Sequence, residues 1–438
     1  MGGPDSFDVQ LQGHGIYYGG QVIQGQVLIS SRKYMSNVRK VQMKLVGFGE
    51  VLWTEEVEKS RRRGSDSSDE SYSSDESYTE TIYYRANEEY ISNKFNIHQG
   101  PLPAGNQVFP FSFVLPPNLP SSFEGQHGHV RYFVEAEIDR SGIFRFNKRK
   151  KQFITINSIV DLNLIQGAAT PQTNSNSKTF GILCCTSGPL SAQVRIPRYG
   201  YTPGQIIPIS AEIENLSNKE MNCTKALLIQ DVIFRATNGT KKTARILQEV
   251  RRGPIEAGSS DIWNGQTLSI PPVAPSGLGG CRIIDVSYRI EFRVNPSGLG
   301  NSLKLSIPIT IGTIPLQIYF RQMAAARPQL NNTPNLQDDA NKWEAFSGAG
   351  AAPPPYQLHT PNHTMPGFAQ PTYDPTAPSM PPTGYFDLPP PSYADAVAAH
   401  EDGRPNQLRS DTDSEHTDAN WDFNPRYPVW CMPSAPPQ

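Results

Sequence analysis

The feature that most constrains what this chain can fold into is a hydrophobic period of two. Val41, Met43 and Leu45 alternate with Gln42 and Lys44, and Tyr132, Val134, Ala136 and Ile138 alternate with Phe133, Glu135, Glu137 and Asp139. From Ile284 to Val294 every second residue is again apolar, with Asp285, Ser287, Arg289, Glu291 and Arg293 between, and Leu303 to Ile311 repeats the pattern. Successive side chains of a strand point to opposite faces, so this alternation describes half-buried antiparallel strands. Clusters of Gly, Pro and Asn separate the runs at short intervals, which favours β-sandwiches over a parallel α/β sheet.

The strands also repeat at the scale of a domain. YYGGQVIQGQVLI, from Tyr17, is echoed by YTPGQIIPISAEI, from Tyr201. PAGNQVFPFSFVLPPNLPSS (103–122) is echoed by EAGSSDIWNGQTLSIPPVAPSG (256–277), each with Ala-Gly, a strand, Pro-Pro and a Pro-Ser turn. Matching landmarks in the same order imply two related sandwiches in tandem, over 1–157 and 184–318. GAATPQTNSNSKT interrupts the pattern, so 158–183 is expected to be a hinge or linker.

Beyond residue 318 the periodicity stops. Roughly half of the 40 prolines fall after residue 320, among Asn, Ser, Asp and Gln, so 319–438 is expected to be a disordered tail. The formal net charge of −2 gives no field that would steer the protein onto nucleic acid. No apolar run approaches the roughly 18 residues of a membrane helix, and MGGPDSFDVQ lacks the regions of a signal peptide, so a cytoplasmic location is expected. Cys184, Cys185, Cys223, Cys281 and Cys431 have neither disulfide nor metal spacing and read as reduced thiols.

YGYTPGQIIPISAEIENLSN, IWNGQTLSIPPVAPS and IPITIGTIPL, with LPAGNQVFPFSFVLPPNLPSSFEG in the first half, resemble the α-arrestins, the arrestin-domain-containing proteins, over nearly all of residues 5–318. The resemblance implies two sandwiches of seven to eight strands joined by a short hinge, with concave faces that meet transmembrane receptors or transporters as cargo. It implies recruitment to the plasma membrane and endosomes by peripheral association. Thioredoxin-binding relatives carry a cysteine three residues before the tryptophan of the WNG-like segment; Ser260 stands there in this chain, which argues against that activity.

The tail carries two pairs of short motifs. Pro353-Pro354-Pro355-Tyr356 and Pro390-Pro391-Ser392-Tyr393 fit the PPxY pattern. In a polyproline helix the two prolines stack in an aromatic groove and the tyrosine fills a neighbouring pocket, which is how WW domains read such peptides. The 33 intervening residues (357–389) span roughly 30 Å as a flexible coil, a reach suited to neighbouring WW modules. The resemblance implies that these motifs recruit HECT-type ubiquitin ligases. Pro375-Thr376-Ala377-Pro378 and Pro433-Ser434-Ala435-Pro436 fit the P-[Ser/Thr]-A-P pattern bound by the UEV domain of ESCRT-I. The α-arrestin branch with both motif classes resembles an adaptor that brings ESCRT to the plasma membrane and drives vesicle budding. Tyr373, Tyr385 and Tyr427 lack the paired prolines and are not counted.

Other features have two readings each. SRRRGSDSSDESYSSDESYTE (60–80) is a surface loop, either a solvated spacer or a kinase substrate with a basophilic site at Ser65 and acidophilic sites at Ser67, Ser73 and Ser77. Lys148, Arg149, Lys150 and Lys151 form either a charged hairpin that guards a sheet edge or a contact for anionic lipid or an acidic partner. MGGPDS fits the myristoylation pattern at Gly2 and Ser6, although one acyl chain gives only marginal anchoring. His127 and His129 share strand spacing and read as surface residues rather than a metal pair. With no nucleophile elbow, phosphate loop or zinc helix, no enzyme, cofactor or metal is expected. The expected function is an adaptor that links membrane cargo to ubiquitin ligases and ESCRT-I; the rival is a phosphorylation-regulated signalling scaffold.

Overall fold

A computed structural model describes residues 3–61, 76–141, 147–180, 188–298, 300–318, 392–396 and 423–430. The expected alternation appears as alternating burial. Every second residue of Ile206–Asn215 is buried, and Leu303–Ile311 repeats the pattern with the opposite phase.

The first sandwich is built from β1 (Ser6–Leu11), β2 (Ile16–Tyr18), β3 (Val22–Ser31), β4 (Val38–Arg61), β5 (Glu76–Gln99), β6 (Gly105–Val114), β7 (Phe123–Gly125), β8 (Gly128–Arg140) and β9 (Lys148–Asn157). One sheet has the order β1-β3-β6; the other has β2-β9-β8-β4-β5, with β7 on β8. The second sandwich follows with β10 (Gln172–Thr179), β11 (Pro189–Ile196), β12 (Gly200–Tyr201), β13 (Ile206–Asn215), β14 (Met221–Ala236), β15 (Gly239–Arg252), β16 (Ser260–Ser269), β17 (Ile284–Pro296) and β18 (Leu303–Ile311). Its sheets have the orders β10-β11-β13-β16 and β12-β18-β17-β14-β15. Apart from β7 and β10, the strand orders of the two sandwiches match one for one.

The repeat extends to single hydrogen bonds. Tyr17 on β2 runs parallel to Ile156, as Tyr201 on β12 runs parallel to Ile311. The Ser122 N–H donates to Ile156 O and its Oγ accepts from the Ile156 N–H; Ser276 does the same with Ile311. Tyr132 Oη donates to Pro120 O and Tyr288 Oη to Ala274 O, both at 2.7 Å, tying the main strand of each sandwich to its Pro-Ser turn. Buried tyrosines need such partners because an unpaired hydroxyl in a core costs about 1–3 kcal/mol.

Three expectations change. The span 158–183 is not a free linker: Gln172–Thr179 pairs with β11 along its whole length, and the side chains of Asn174, Asn176 and Lys178 donate to backbone carbonyls of Ser306, Lys304 and Asn301. This strand lacks an apolar alternation because its core-facing side chains, Asn174, Asn176 and Lys178, are hydrogen-bonded to backbone carbonyls across the sandwich rather than packed as apolar groups. The loop at 60–80 is narrower than expected, because β4 reaches Arg61 and β5 starts at Glu76. Ser77 is an exposed strand residue opposite Ser60, while Ser65, Ser67 and Ser73 lie outside the described residues. Part of the tail is ordered: Ser392–Asp395 (β19) pairs antiparallel with Arg426–Val429 (β20). Pro428 sits in β20 because a two-stranded ladder needs no donor from its outer edge. The rest of the expected disordered tail lies outside the described residues.

Candidate functional site

Three surfaces are candidates for docking, and each grows from the duplicated strands. The first two are the outward faces of the β1-β3-β6 and β10-β11-β13-β16 sheets. Val22 pairs with Val114 and Ile206 with Ser269 at equivalent corners, and Val22, Val114 and Ile206 are all exposed. An open depression crosses the face of the second sheet, lined by Ser175, Ser177, Gln193, Glu212, Glu214 and Ile262. A strand must keep its inward alternate residues apolar, but its outward ones are free to vary, so both faces can present different chemistry to a partner.

The basic run lies on the first half of β9. β9 pairs with β8 from Lys148 onward, whereas β2 covers it only at Thr155–Asn157. Arg149 pairs with Glu137 at 3.2 Å, Lys150 with Asp8 at 3.7 Å, and Lys151 Nζ lies 4.3 Å above the Phe133 ring. Burial pushes the Glu137 carboxyl upward, but Lys44, Asn147 and Arg149 more than offset this and hold it at about 2. Three of the four basic residues are therefore engaged with their own sandwich, as an edge guard requires.

The third surface is the seam between the sandwiches, where three clamps meet. In the first, the long β4–β5 ribbon leans over the β14–β15 hairpin. Trp53 stacks on Tyr84 at 4.9 Å, the Thr237 N–H donates to Arg85 O, and Arg282 donates from its backbone N–H and its Nε to the two oxygens of Glu88. Desolvation raises the Glu88 carboxyl, and these donors with Tyr90 bring it below its ordinary range. In the second clamp, residues 160–163 zip along 313–317. The Thr313 and Ile314 N–H groups donate to Val160 O, the Leu162 N–H to Ile314 O, and Asn163 Nδ2 to Pro315 O.

The third clamp is the tail. Tyr427, Val429 and Trp430 are buried. On the side of the first sandwich, Tyr427 Oη donates to Ser122 O (2.9 Å), Arg426 Nη2 to His14 O (2.9 Å) and Asn157 Nδ2 to Arg426 O (3.1 Å), and Phe423 stacks on Phe153. On the side of the second sandwich, Trp430 Nε1 donates to Thr313 O and its backbone N–H to Pro203 O, both at 2.9 Å. The segment 423–430 thus spans both domains. Tyr427 lacks the paired prolines of a PPxY motif, and the signal that marks this segment in the sequence is the apolar cluster Tyr427-Pro428-Val429-Trp430 in an otherwise polar tail.

The structure brings few of the tail motif residues into view. The backbones of Ser392 and Tyr393 lie in β19, opposite Val429 and Pro428. Pro353, Pro354, Tyr356, Pro390 and Pro391, with Pro375–Pro378 and Pro433–Pro436, lie outside the described residues, as do Cys184, Cys185 and Cys431. Of the two histidines expected at the surface, His127 is half-buried and His129 is fully buried. His129 is buried, with Nδ1 unbonded and Nε2 4.0 Å from Glu50, and desolvation holds its pKa well below the ordinary value. His127 packs edge-on against Phe234 at the seam. The spacing puts them two residues apart, but His129 lies on β8, a central strand buried on both faces along most of its length. Among the described residues no group of three or more His, Cys, Asp or Glu is placed to hold a metal, and no helix is long and apolar enough to cross a membrane.

Residues 6–163 match the arrestin (or S-antigen) N-terminal domain and residues 186–316 the arrestin (or S-antigen) C-terminal domain. "Arrestin domain-containing protein 17" of Caenorhabditis elegans is 30% identical over 346 residues, 76% of either chain. "Arrestin domain-containing protein 4" of Homo sapiens is 37% identical over 235 residues, 52% of this chain and 55% of that protein. "Arrestin domain-containing protein 1" of Mus musculus is 30% identical over 230 residues, 52% of this chain and 51% of that protein. This chain therefore spans about half the length of the last two.

Proposed function

The chain belongs to the α-arrestins, and from that premise we propose that it is a trafficking adaptor whose two sandwiches dock on membrane-protein cargo while its tail recruits the sorting machinery. Tyr356 and Tyr393, with Pro353-Pro354 and Pro390-Pro391, bind the WW domains of a HECT-type ubiquitin ligase. Pro375–Pro378 and Pro433–Pro436 bind the UEV domain of ESCRT-I. Cargo is then ubiquitinated and sorted through endosomes, or packaged into vesicles that bud from the plasma membrane. The residues act by binding, and none performs covalent chemistry.

The observation that carries this reading is the pairing of both motif classes, each present twice, on one tail behind a double β-sandwich. Two linked ligands raise the effective concentration of the second binding event without a new contact. Co-purification from cells tests it, with ligase and ESCRT-I subunits scored separately. Tyr356→Ala/Tyr393→Ala is expected to lose the ligase and keep ESCRT-I; Pro378→Ala/Pro436→Ala is expected to do the reverse. Failure of the intact chain to recover either partner would sink the reading.

A further inference from the structure

The strand pair β19–β20 couples one candidate WW ligand to the buried part of the tail. Ser392 and Tyr393 of the second PPxY copy pair with Val429 and Pro428, and the neighbouring residues Tyr427 and Trp430 are bound to both sandwiches. We propose that the seam masks this copy: docking of Arg426–Trp430 holds the backbone of Ser392–Asp395 in a β-ladder and so denies a WW domain the Ser392-Tyr393 end of the motif. The proposal rests on the reading of PPxY as a WW ligand.

The exclusion is geometric. A WW domain grips its ligand as a polyproline helix, with φ near −75° and no internal hydrogen bonds, and encloses both the proline ridge and the tyrosine side chain. A residue in an antiparallel ladder has φ near −140° and a partner strand about 4.8 Å away. Ser392 and Tyr393 cannot satisfy both states at once, so a WW domain reaches this motif only after β19 leaves β20.

How often that happens depends on how firmly β20 is held. An isolated two-stranded hairpin is marginal in water, but this one has its second strand in the seam. Arg426, Tyr427 and Trp430 contribute hydrogen bonds to His14, Ser122, Pro203 and Thr313, drawn from both sandwiches. Val429 lies against Gly204, where a Cβ would come within 2.6 Å of its Cγ1. The anchor is therefore part of the domain interface, and the ladder inherits its stability. The apparent affinity of a masked ligand falls by the fraction of molecules in which it is open. A latch closed in nine molecules of ten gives a loss of about tenfold.

The two PPxY copies should then be unequal. The test uses the full chain in a Tyr356→Ala background, which leaves the second copy alone, and a single recombinant WW domain from a HECT-type ligase as probe. Its dissociation constant is compared with that for a peptide spanning residues 385–398. We expect the full chain to bind about tenfold or more weakly than the peptide. Adding Trp430→Ala should restore binding to within about twofold of the peptide. Tyr427→Phe, which removes only the bond to Ser122 O, should give an intermediate value in a protein with unchanged far-UV circular dichroism. Equal affinity of peptide, Tyr356→Ala chain and Trp430→Ala chain would overturn the masking while the WW reading stands. A peptide that fails to bind the WW domain would overturn the WW reading of this motif, and the proposal with it.

Discussion

The same turn is built twice in this molecule and used differently. In the first sandwich Tyr17-Tyr18-Gly19-Gly20-Gln21 folds so that the Gln21 N–H donates to Tyr18 O and the Tyr18 N–H donates to Gln21 Oε1. In the second, Tyr201-Thr202-Pro203-Gly204-Gln205 makes the same pair of bonds between Gln205 and Thr202. Gly20 and Gly204 have φ of 84° and 85°, a conformation that side chains disfavour. The Leu115 N–H donates to Gln21 O, and the Ile270 N–H donates to Gln205 O, both at 2.9 Å. The surroundings then diverge. A Cβ on Gly19 would sit 2.2 Å from Pro117 O, so the first turn is pressed onto its own domain; a Cβ on Gly20 would meet nothing. In the second turn the equivalent of Gly19 is Pro203, and its carbonyl accepts the Trp430 N–H of the tail. Local sequence repeats local geometry, but which copy receives the tail is decided by what lies beside it.

Four experiments press on this pairing of domains, in descending order of expected effect. Trp263 on β16 is fully buried, donates from Nε1 to Thr224 Oγ1 at 3.0 Å and meets Phe292 edge-on. Its counterpart in strand order and register, Phe109, is only partly buried. Trp263→Ala should cost about 3–5 kcal/mol, with Phe109→Ala nearer 1–2. Chemical denaturation would measure both, and equal losses would show that the two cores bear load alike.

Gly204→Ala comes next. Both Gly20→Ala and Gly204→Ala place a side chain in the left-handed region, at about 1–2 kcal/mol. Only Gly204→Ala also pushes on Val429 and the Trp430 carbonyl. Both variants should melt at lower temperature, but only Gly204→Ala should expose Arg426 to trypsin. Equal cleavage of the two variants would break the comparison.

The paired tyrosines are a finer test. Tyr132→Phe removes a single donor to Pro120 O and should cost about 1 kcal/mol. Tyr288 also accepts from Gln230 Nε2, so Tyr288→Phe strands a second buried group and should cost about 1–2 kcal/mol. Thermal melts of the two single variants decide it.

Acid separates the domains most gently. The folded-state pKa of His129 is depressed below the ordinary 6.5, so the unfolded chain takes up the proton first and stability falls as pH drops below 6.5. Glu137 is held near 2 against an ordinary 4.5, so its contribution is present above 4.5 and is lost between there and 2. Both belong to the first sandwich, and residues 184–318 contain no histidine. Lowering the pH from 7 to 5 should reduce the melting temperature by a few degrees. His129→Leu should flatten that dependence, and an unchanged slope would remove His129 as its source.

The strands are legible in the sequence because alternation is a local property: one face of each must be apolar, and the turn residues between them fix where it ends. The echo of YYGGQ in YTPGQ is legible too, and its glutamine makes both of its turn bonds within four residues. β10 is not, because Gln172–Thr179 is paired through its backbone and held by Asn174 and Asn176 reaching to β18 and Lys178 reaching to Asn301, and neither interaction leaves an apolar signature. His129 was misread because period two says that a residue faces one side of a sheet without saying whether that side is covered. The tail segment Arg426–Trp430 was missed because its partners, His14, Ser122, Pro203 and Thr313, stand more than a hundred residues away in the chain.

By itself, then, the amino-acid sequence determined two tandem sandwiches, the echoed segments that open them and the short peptide motifs behind them, all of which depend on patterns within a few residues. Only the tertiary structure decided that a histidine on β8 is buried, that the expected linker contains the strand Gln172–Thr179, and that the last described segment of the tail closes the seam between the domains. Those outcomes depend on which surfaces the folded chain brings together, and the free energy of such contacts is not assigned to any one stretch of sequence.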